Sequence, residues 1–373
     1  MHLCIPLRWD GEWRCASSIS AFACRAIAMA KSVNISQIAK AAGLSTATVD
    51  RVPNERGGVN SATIHRVQAA MASLGGVVPR PGHPKSVANY RFGVVLPNTR
   101  HAFFDAVDRV VAQSAGEFRH QHITELTLRL PAHDTTAFAA EVSKLTDYEG
   151  LAILAPDVPP VKLAINELVQ SGVHVIALFS DVAGSTRSVF LGTDNRAAGR
   201  TAALLLGHSL GRSDHERAAL FSQPTRYAAE IDRRIGYSQL MEERFAQVQV
   251  HRFLEVPQSE DEAYQYAMEC LPPAGSTDAI SSAYSVGSGS FGIARALGEL
   301  GYANKAVFAV HELVGAHSSL LAAGSADFVL HQDIYQSVSA AARTLRALKD
   351  GVRGALTTFR NQRVEIITRE NLA

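Results

Sequence analysis

VNISQIAKAAGLSTATVDRVPNERGGVNSATIHRVQAAMASLG, residues 33–75, reads as three short helices. Ile35, Ile38, Ala39 and Ala42 recur at the i, i+3, i+4, i+7 spacing of one apolar helix face. Gly43 stops that helix, because glycine accepts the left-handed conformation that a tight interhelical turn needs. Ser45 is a strong N-cap for a second helix, whose Val49 and Val52 turn back to the same small core. Asn60 or Ser61 caps a third, with Ile64, Val67, Met71 and Leu74 inward and Gly75 as its stop. Two short helices across a Gly-containing turn, supported by a third, make the helix-turn-helix layout.

The second helix carries the chemistry. Ser45, Thr46, Ala47, Thr48, Arg51 and Asn54 give it short polar groups around one long basic side chain. Small side chains let a helix axis sink into a major groove, and Arg51 can fork onto guanine O6 and N7. Thr46 suits a base edge and the Ala47 methyl a thymine methyl. Ser45, Thr48, Asn54, Asn60 and Thr63 suit phosphate oxygens, which fix register without reading sequence. The competing reading is a three-helix bundle whose polar face is merely solvated. Charge argues against it: from Val33 to Arg80 five basic residues face two acidic ones, a formal +3 in a chain whose total is only +1.

IAKAAGLSTATVDRV at 38–52, followed by Asn54 and then GGV at 57–59, resembles the DNA-binding head of the LacI/GalR family of bacterial repressors. The resemblance implies a dimeric transcriptional regulator. Its core would be a two-lobed, periplasmic-binding-protein-like (type I) domain that takes a small molecule, often a sugar, and thereby alters operator affinity. By position it makes Thr46, Ala47 and Arg51 the base readers. Three departures stand out. Pro53 falls in the last turn of the second helix, where its ring should bend or end it. Asp50 puts a carboxylate near phosphates where family members often carry serine. The region VVPRPGHPKSVANYR at 77–91 has Pro79, Pro81 and Pro84 and no leucine, where the family forms a hinge helix that inserts one. Such a segment favours an extended linker.

A chain of 373 residues, 47% hydrophobic, has room for two or three domains with sizeable cores. Cys4, Cys15, Cys24 and Cys270 are the only cysteines and share no metal-ligand spacing, so a disulfide framework is not expected and a reducing cytoplasm is. Residues 1–28 include a mildly apolar run, but Asp10, Glu12, Arg14 and Arg25 break the pattern of a signal peptide. MAKSVNISQ would be a normal start at Met29, and 1–28 read as a non-native or disordered extension.

From Tyr90 the pattern becomes α/β. RFGVVLP, ITELTLRL, GLAILAP, VHVIALF, SVFLG, RAALFS, VQVHRFLEV, DAISSAYSV, AVFAVHEL and ADFVLHQ are strand candidates, separated by amphipathic helices such as VKLAINELVQSG and RRIGYSQLMEERF. Continuous apolar strands between helices indicate parallel sheets covered on both faces. About ten of them exceed one compact sheet and predict two doubly wound lobes. The expected division is a head at 33–76, a proline-rich linker at 77–90 and a ligand-binding core at 91–373. Within the core, an N-lobe takes 91–191 and 332–358, and a C-lobe takes 192–331 and 359–373. No apolar run is long enough to span a membrane.

Ligands of such folds bind beyond the carboxyl ends of the strands. Asn98, His101, Phe103 and Phe104 follow the first strand candidate, and Asp157, Asp194 and Asn195 follow later ones. Arg233 opens an R-x-x-G, and Tyr284, His311, Glu312 and Gln332 come further on. Flat rings and planar polar groups together suit a sugar, so the expected set is Asn98, Phe103, Phe104, Asp157, Asp194, Arg233, Tyr284, Glu312 and Gln332. The family resemblance adds weight to Arg233, Asp194, Glu312 and Gln332. Asp194 and Asn195 also suit N-caps of the helix that follows. Gly287, Gly289 and Gly292 spell GxGxxG, with Glu312 20 residues beyond, which formally suggests a dinucleotide-dependent dehydrogenase. Yet too few strands follow for a dinucleotide fold, and a close helix–strand approach explains the glycines. No HExxH, Cys/His pair, G-x-S-x-G or Walker sequence appears. No metal, cofactor or catalytic residue is expected. The sequence thus points to a cytoplasmic, ligand-responsive repressor that binds operator DNA as a homodimer. The rival is a solute-binding sensor without DNA affinity.

Overall fold

The computed structural model describes residues 34–52, 59–74, 89–210, 216–352 and 362–372. The extension 1–28, Pro53, Asn54, Gly75 and the linker prolines lie outside the described residues. The chain divides into two compact units, Met1–Val87 and Ala88–Ala373.

The first unit holds α1 (Ile35–Ala42), α2 (Thr46–Arg51) and α3 (Ser61–Ser73). Each begins on a side chain that accepts an otherwise orphaned backbone N–H. Asn34 accepts from Gln37 at 2.9 Å, Ser45 from Thr48 at 3.1 Å and Asn60 from Thr63 at 2.8 Å. Gln37 reaches back to the Asn34 N–H at 3.0 Å, closing a capping box. Gly43, at φ +61°, turns the chain from α1 into α2. The Arg66 guanidinium, from α3, donates to the Ala42 carbonyl at 2.8 Å and so satisfies the end of α1. Ile38, Ala39, Ala42, Val49, Val67 and Ala70 form the core, flanked by Ile35, Leu44, Val52 and Met71. The expectation for Leu74 fails: it is 37% exposed. At 13 residues α3 outruns α1 and α2, of eight and six; Ala70 and Met71 still pack on the core, but Leu74, past the end of α3, lies beyond it.

The second unit contains two sheets. The first has the order β2-β1-β3-β4-β5, all parallel, from β1 (Tyr90–Pro97), β2 (Ile123–Leu130), β3 (Gly150–Ile153), β4 (His174–Leu178) and β5 (Phe190–Leu191). Along β1 side chains alternate faces. Phe92, Val94 and Leu96 pack under α4 (Ala102–Glu117) and α12 (Ile334–Lys349), while Val95 packs with α5 (Thr135–Ser143) and α6 (Pro159–Gln170). The second sheet has the order β11-β10-β9-β8-β6-β7. Its parallel strands are β6 (Arg217–Phe221), β7 (Gln249–Phe253), β8 (Ser282–Ser285), β9 (Val307–His311) and β10 (Phe328–His331). One face carries α7 (Asn195–Ser209) and α8 (Ala228–Arg244); the other carries α9 (Glu260–Cys270), α10 (Ser290–Glu299) and α11 (His317–Ala323).

The chain crosses between lobes after β5, after β10 and after α12. On the third crossing Gln362 pairs with Thr193 of the first, and β11 (Glu365–Ile367) joins the second sheet antiparallel to β10. Phe179 and Glu312, each just after a strand, β4 and β9, adopt positive φ of 63° and 64°. Left-handed backbone at residues other than glycine marks local strain, and such strain collects at functional sites. Both residues face the cavity between the lobes.

Candidate functional site

The head presents α2. Val49 is buried against the head's core, while Ser45, Thr46, Ala47 and Arg51 are exposed. Thr48 is half-buried, and its hydroxyl shares a hydrogen bond with Ser45 at 2.8 Å. Asn60 is exposed and Thr63 half-buried, at the start of α3. The exposed residues leave a smooth, small-residue ridge with Arg51 at its end, which is the shape and chemistry that a major groove accepts. Arg51→Ala should cost about 1–3 kcal/mol of discrimination at one base position. Competition binding with base-substituted operators measures it, and an unchanged preference would remove Arg51 from base reading.

In the core, loops at the carboxyl ends of both sheets enclose a cavity of about 720 Å³. Arg233 of α8 reaches its floor. The guanidinium donates from Nε to Asn195 Oδ1 at 2.7 Å, and from Nη2 to Glu312 Oε1 at 3.0 Å. Glu312 also accepts from the Gln332 side-chain amide at 2.8 Å, and lies 3.5 Å from His331. Burial alone would raise the Glu312 pKa, but His331, Arg233 and Gln332 outweigh it and hold the carboxyl below its ordinary range. Arg233 and Glu312 therefore form a buried pair that is neutral overall.

The walls are aromatic. Phe103 meets Phe179 edge to face at 5.0 Å, and Phe104 lies against the His101 ring at 4.7 Å. His101 Nδ1 accepts the Phe103 N–H at 3.1 Å, which places its proton on Nε2, and that nitrogen meets Ser288 Oγ of the other lobe at 2.7 Å. Burial lowers the His101 pKa to about 4, so the imidazole stays neutral near pH 7. Glu230, in the first turn of α8, is held above the usual carboxylate range by burial, against the Thr225 hydrogen bond and the charge of Arg233. Three polar atoms on the lining have no hydrogen-bond partner: Gln223 Nε2, Glu230 Oε2 and Gln332 Oε1.

Of the expected ligand residues, Phe103, Phe104, Arg233, Glu312 and Gln332 line this one cavity. The other four do not. Asp194 accepts the Ala197 N–H at 2.9 Å as the N-cap of α7. Tyr284 is wholly inside the second lobe, stacked near Tyr237 and bonded to His311. Asp157 pairs with Lys162 at 2.8 Å, and Asn98 is exposed beyond β1. Sequence reasoning missed Gln223, Glu230 and Arg226, and took Asn195 for a cap although it orients Arg233. The Gly in R-x-x-G has its own reason. A Cβ on Gly236 would stand 2.1 Å from the Arg196 carbonyl oxygen, and one on Gly199 would stand 1.9 Å from that of Arg233. The two glycines let α7 and α8 touch backbone to backbone, and this seats Arg233.

The GxGxxG has a different explanation from the one expected. A Cβ on Gly292 would lie 1.9 Å from the Glu260 carbonyl oxygen, so the glycine serves a helix–helix contact between α9 and α10 rather than a helix–strand one. The Glu260 carboxylate accepts the Gly292 N–H at 2.8 Å and sets negative charge where a pyrophosphate would dock. Among the described residues no cluster of three or more His, Cys, Asp or Glu is placed to hold a metal, and no helix is long and apolar enough to cross a membrane.

Residues 34–75 match the bacterial regulatory proteins of the lacI family, and residues 92–352 match the periplasmic binding protein domain. The chain belongs to the LacI/GalR family of bacterial transcriptional regulators. No curated protein matches it. Solved structures share the fold of the core of this LacI/GalR regulator. One is an ABC-transporter solute-binding protein from Burkholderia graminis in complex with D-arabinose, at 18% identity and TM-score 0.67, covering 78% of this chain and 98% of its own. Another is a glucose-galactose binding protein from Geobacillus stearothermophilus, at 16% and 0.64, covering 76% and 99%. A third, from Agrobacterium vitis with bound alpha-D-tagatopyranose, is 13% identical at TM-score 0.65, covering 76% and 96%.

Proposed function

We propose that this regulator is a cytoplasmic repressor that grips a roughly palindromic operator as a homodimer and lets go when a neutral, carbohydrate-like effector fills the core cavity. The carrying observation is the cavity itself. Unpartnered donors and acceptors stand beside aromatic walls and a charge-neutral Arg233–Glu312 floor. Hydroxyl groups both donate and accept, while sugar ring faces are apolar, so a polyol or sugar satisfies all of these at once. Structures of similar fold hold D-arabinose and alpha-D-tagatopyranose, which agrees with that class.

The effector contacts would come from Phe103, Phe104, Arg233, Glu312 and Gln332, joined by His101, Gln223 and Glu230. In the head, Thr46, Ala47 and Arg51 would read bases, while Ser45, Thr48, Asn54, Asn60 and Thr63 meet phosphates. Two heads on half-sites multiply contacts that one small head makes too weakly. The lobes in this reading are 91–191 with 332–358, and 192–331 with 359–373. The role is binding, with no catalysis and no cofactor.

Mobility-shift titration against the DNA flanking its own gene, at two salt concentrations and with and without a sugar panel, tests the proposal. The expected result is operator binding that weakens steeply with salt and is relieved by a sugar. Sugar binding with no DNA binding at either salt would instead favour the solute sensor.

A further inference from the structure

We propose that the effector is longer than one sugar ring: an uncharged, polyhydroxylated molecule of disaccharide length, lying along the cleft from Gln332 to Gln223. This rests on the carbohydrate reading above and gives that carbohydrate a size.

Three observations carry it. The first is that the lobes already touch along the whole cleft. Ser180 Oγ accepts from the Ala229 N–H at 3.3 Å, close to the crossing strands. His101 meets Ser288 at 2.7 Å in the middle. Arg226 donates to Thr135 at 3.3 Å at the outer edge, and its carbonyl accepts from the Asp157 N–H at 2.8 Å. With those contacts made, about 720 Å³ remains between the lobes. A volume of that size suits a ligand larger than a single pyranose.

The second observation is where the orphaned polar atoms stand. Gln332 follows β10 and Gln223 follows β6, and the sheet order β10-β9-β8-β6 separates those strand ends by three steps. Three interstrand spacings amount to about 14 Å. Both glutamines are buried, at 3% and 4% exposure, and each has one amide atom without a partner. A buried amide left unmatched costs stability, so each end of the cleft calls for its own ligand group. A single ring spans one or two strand spacings, less than the separation of these strand ends, whereas two linked rings match it.

The third observation is charge. Arg233 and Glu312 neutralise each other at the floor, so no uncompensated cation stands there to recruit a phosphate or carboxylate group. This selects against phosphorylated or acidic sugars of the same length.

Calorimetry on the full chain tests the proposal, with maltose, cellobiose, lactose, melibiose, sucrose and trehalose set against D-glucose, D-galactose and D-fructose. At least one disaccharide should bind with a Kd at least tenfold lower than either of its component monosaccharides. Gln223→Ala should weaken that disaccharide about tenfold and so bring its affinity close to that of its component monosaccharides. Gln223→Met, of similar length and without the amide donor, repeats the test with the space filled and no charge added. A monosaccharide that binds as tightly as the best disaccharide, or a Gln223 variant that loses nothing, overturns the proposed length alone. No heat from any sugar overturns the carbohydrate reading and this inference with it.

Discussion

Replacing Arg233 by Met should destabilise the core by about 3–5 kcal/mol, because it leaves the buried Glu312 carboxylate without its guanidinium partner and with only the His331 imidazole beside it. The pair is enclosed: each side chain is 9% exposed, and the Arg233 guanidinium also holds Asn195. Restoring neutrality should restore stability. In the double variant Arg233→Met, Glu312→Gln, no charge is stranded, and the Gln332 amide keeps an acceptor. Denaturant unfolding should therefore find the double variant markedly more stable than the single one, a coupling that a double-mutant cycle isolates. Effector response should be lost in both, since the floor of the cavity has lost its fork of donors. Equal stability of single and double variants would mean that the ion pair contributes nothing the apolar replacement lacks. Operator binding by the folded fraction should survive, because Arg233 belongs to the core and not to the head.

Why Arg233 was legible in the sequence while its neighbours were not follows from what a strand pattern reports. Ten apolar runs mark β1 to β10, since strands buried on both faces need continuous apolar residues. The carboxyl end of each run then places the next residues near the cleft. That rule gathers Phe103, Phe104, Glu312 and Gln332, all of which line the cavity. It does not say where a side chain aims. Tyr284 lies within β8, and the pleat turns its ring under α7 and α8. Asp194 sits where a helix begins, and the local N–H of Ala197 captures its carboxylate. Glu230 and Gln223 carry no periodic signal, because a polar residue in a loop or first turn looks the same whether it faces a ligand or water. The strand β11 escaped for a similar reason: three residues paired at a sheet edge have too little pattern to read. Leu74 misled in the opposite sense, since its helical spacing is right but the helices it would pack on are too short.

Glu125→Gln should flatten the pH dependence of core stability and raise stability at pH 8 by up to about 3 kcal/mol. Glu125 lies on β2, the edge strand of the first sheet, with its side chain turned inward and 5% exposed. An inward charge on an edge strand discourages further strand pairing, which gives the residue a purpose despite its cost. Burial pushes its pKa up to about 7, opposed only by the Ser114 hydroxyl, which donates to Oε2 at 2.9 Å. In the unfolded chain the same carboxyl titrates near its ordinary 4.5. The folded state thus holds the proton more tightly, so the stabilising contribution is complete below about pH 4.5 and is lost as pH climbs through about 7. Glutamine keeps the shape and the partner for Ser114 and cannot ionise. Urea midpoints of the two proteins should coincide near pH 4.5 and diverge steadily up to pH 8, with the variant the more stable. Midpoints that stay parallel across that range would show that Glu125 is hydrated in the folded protein and that its inward orientation carries no electrostatic cost.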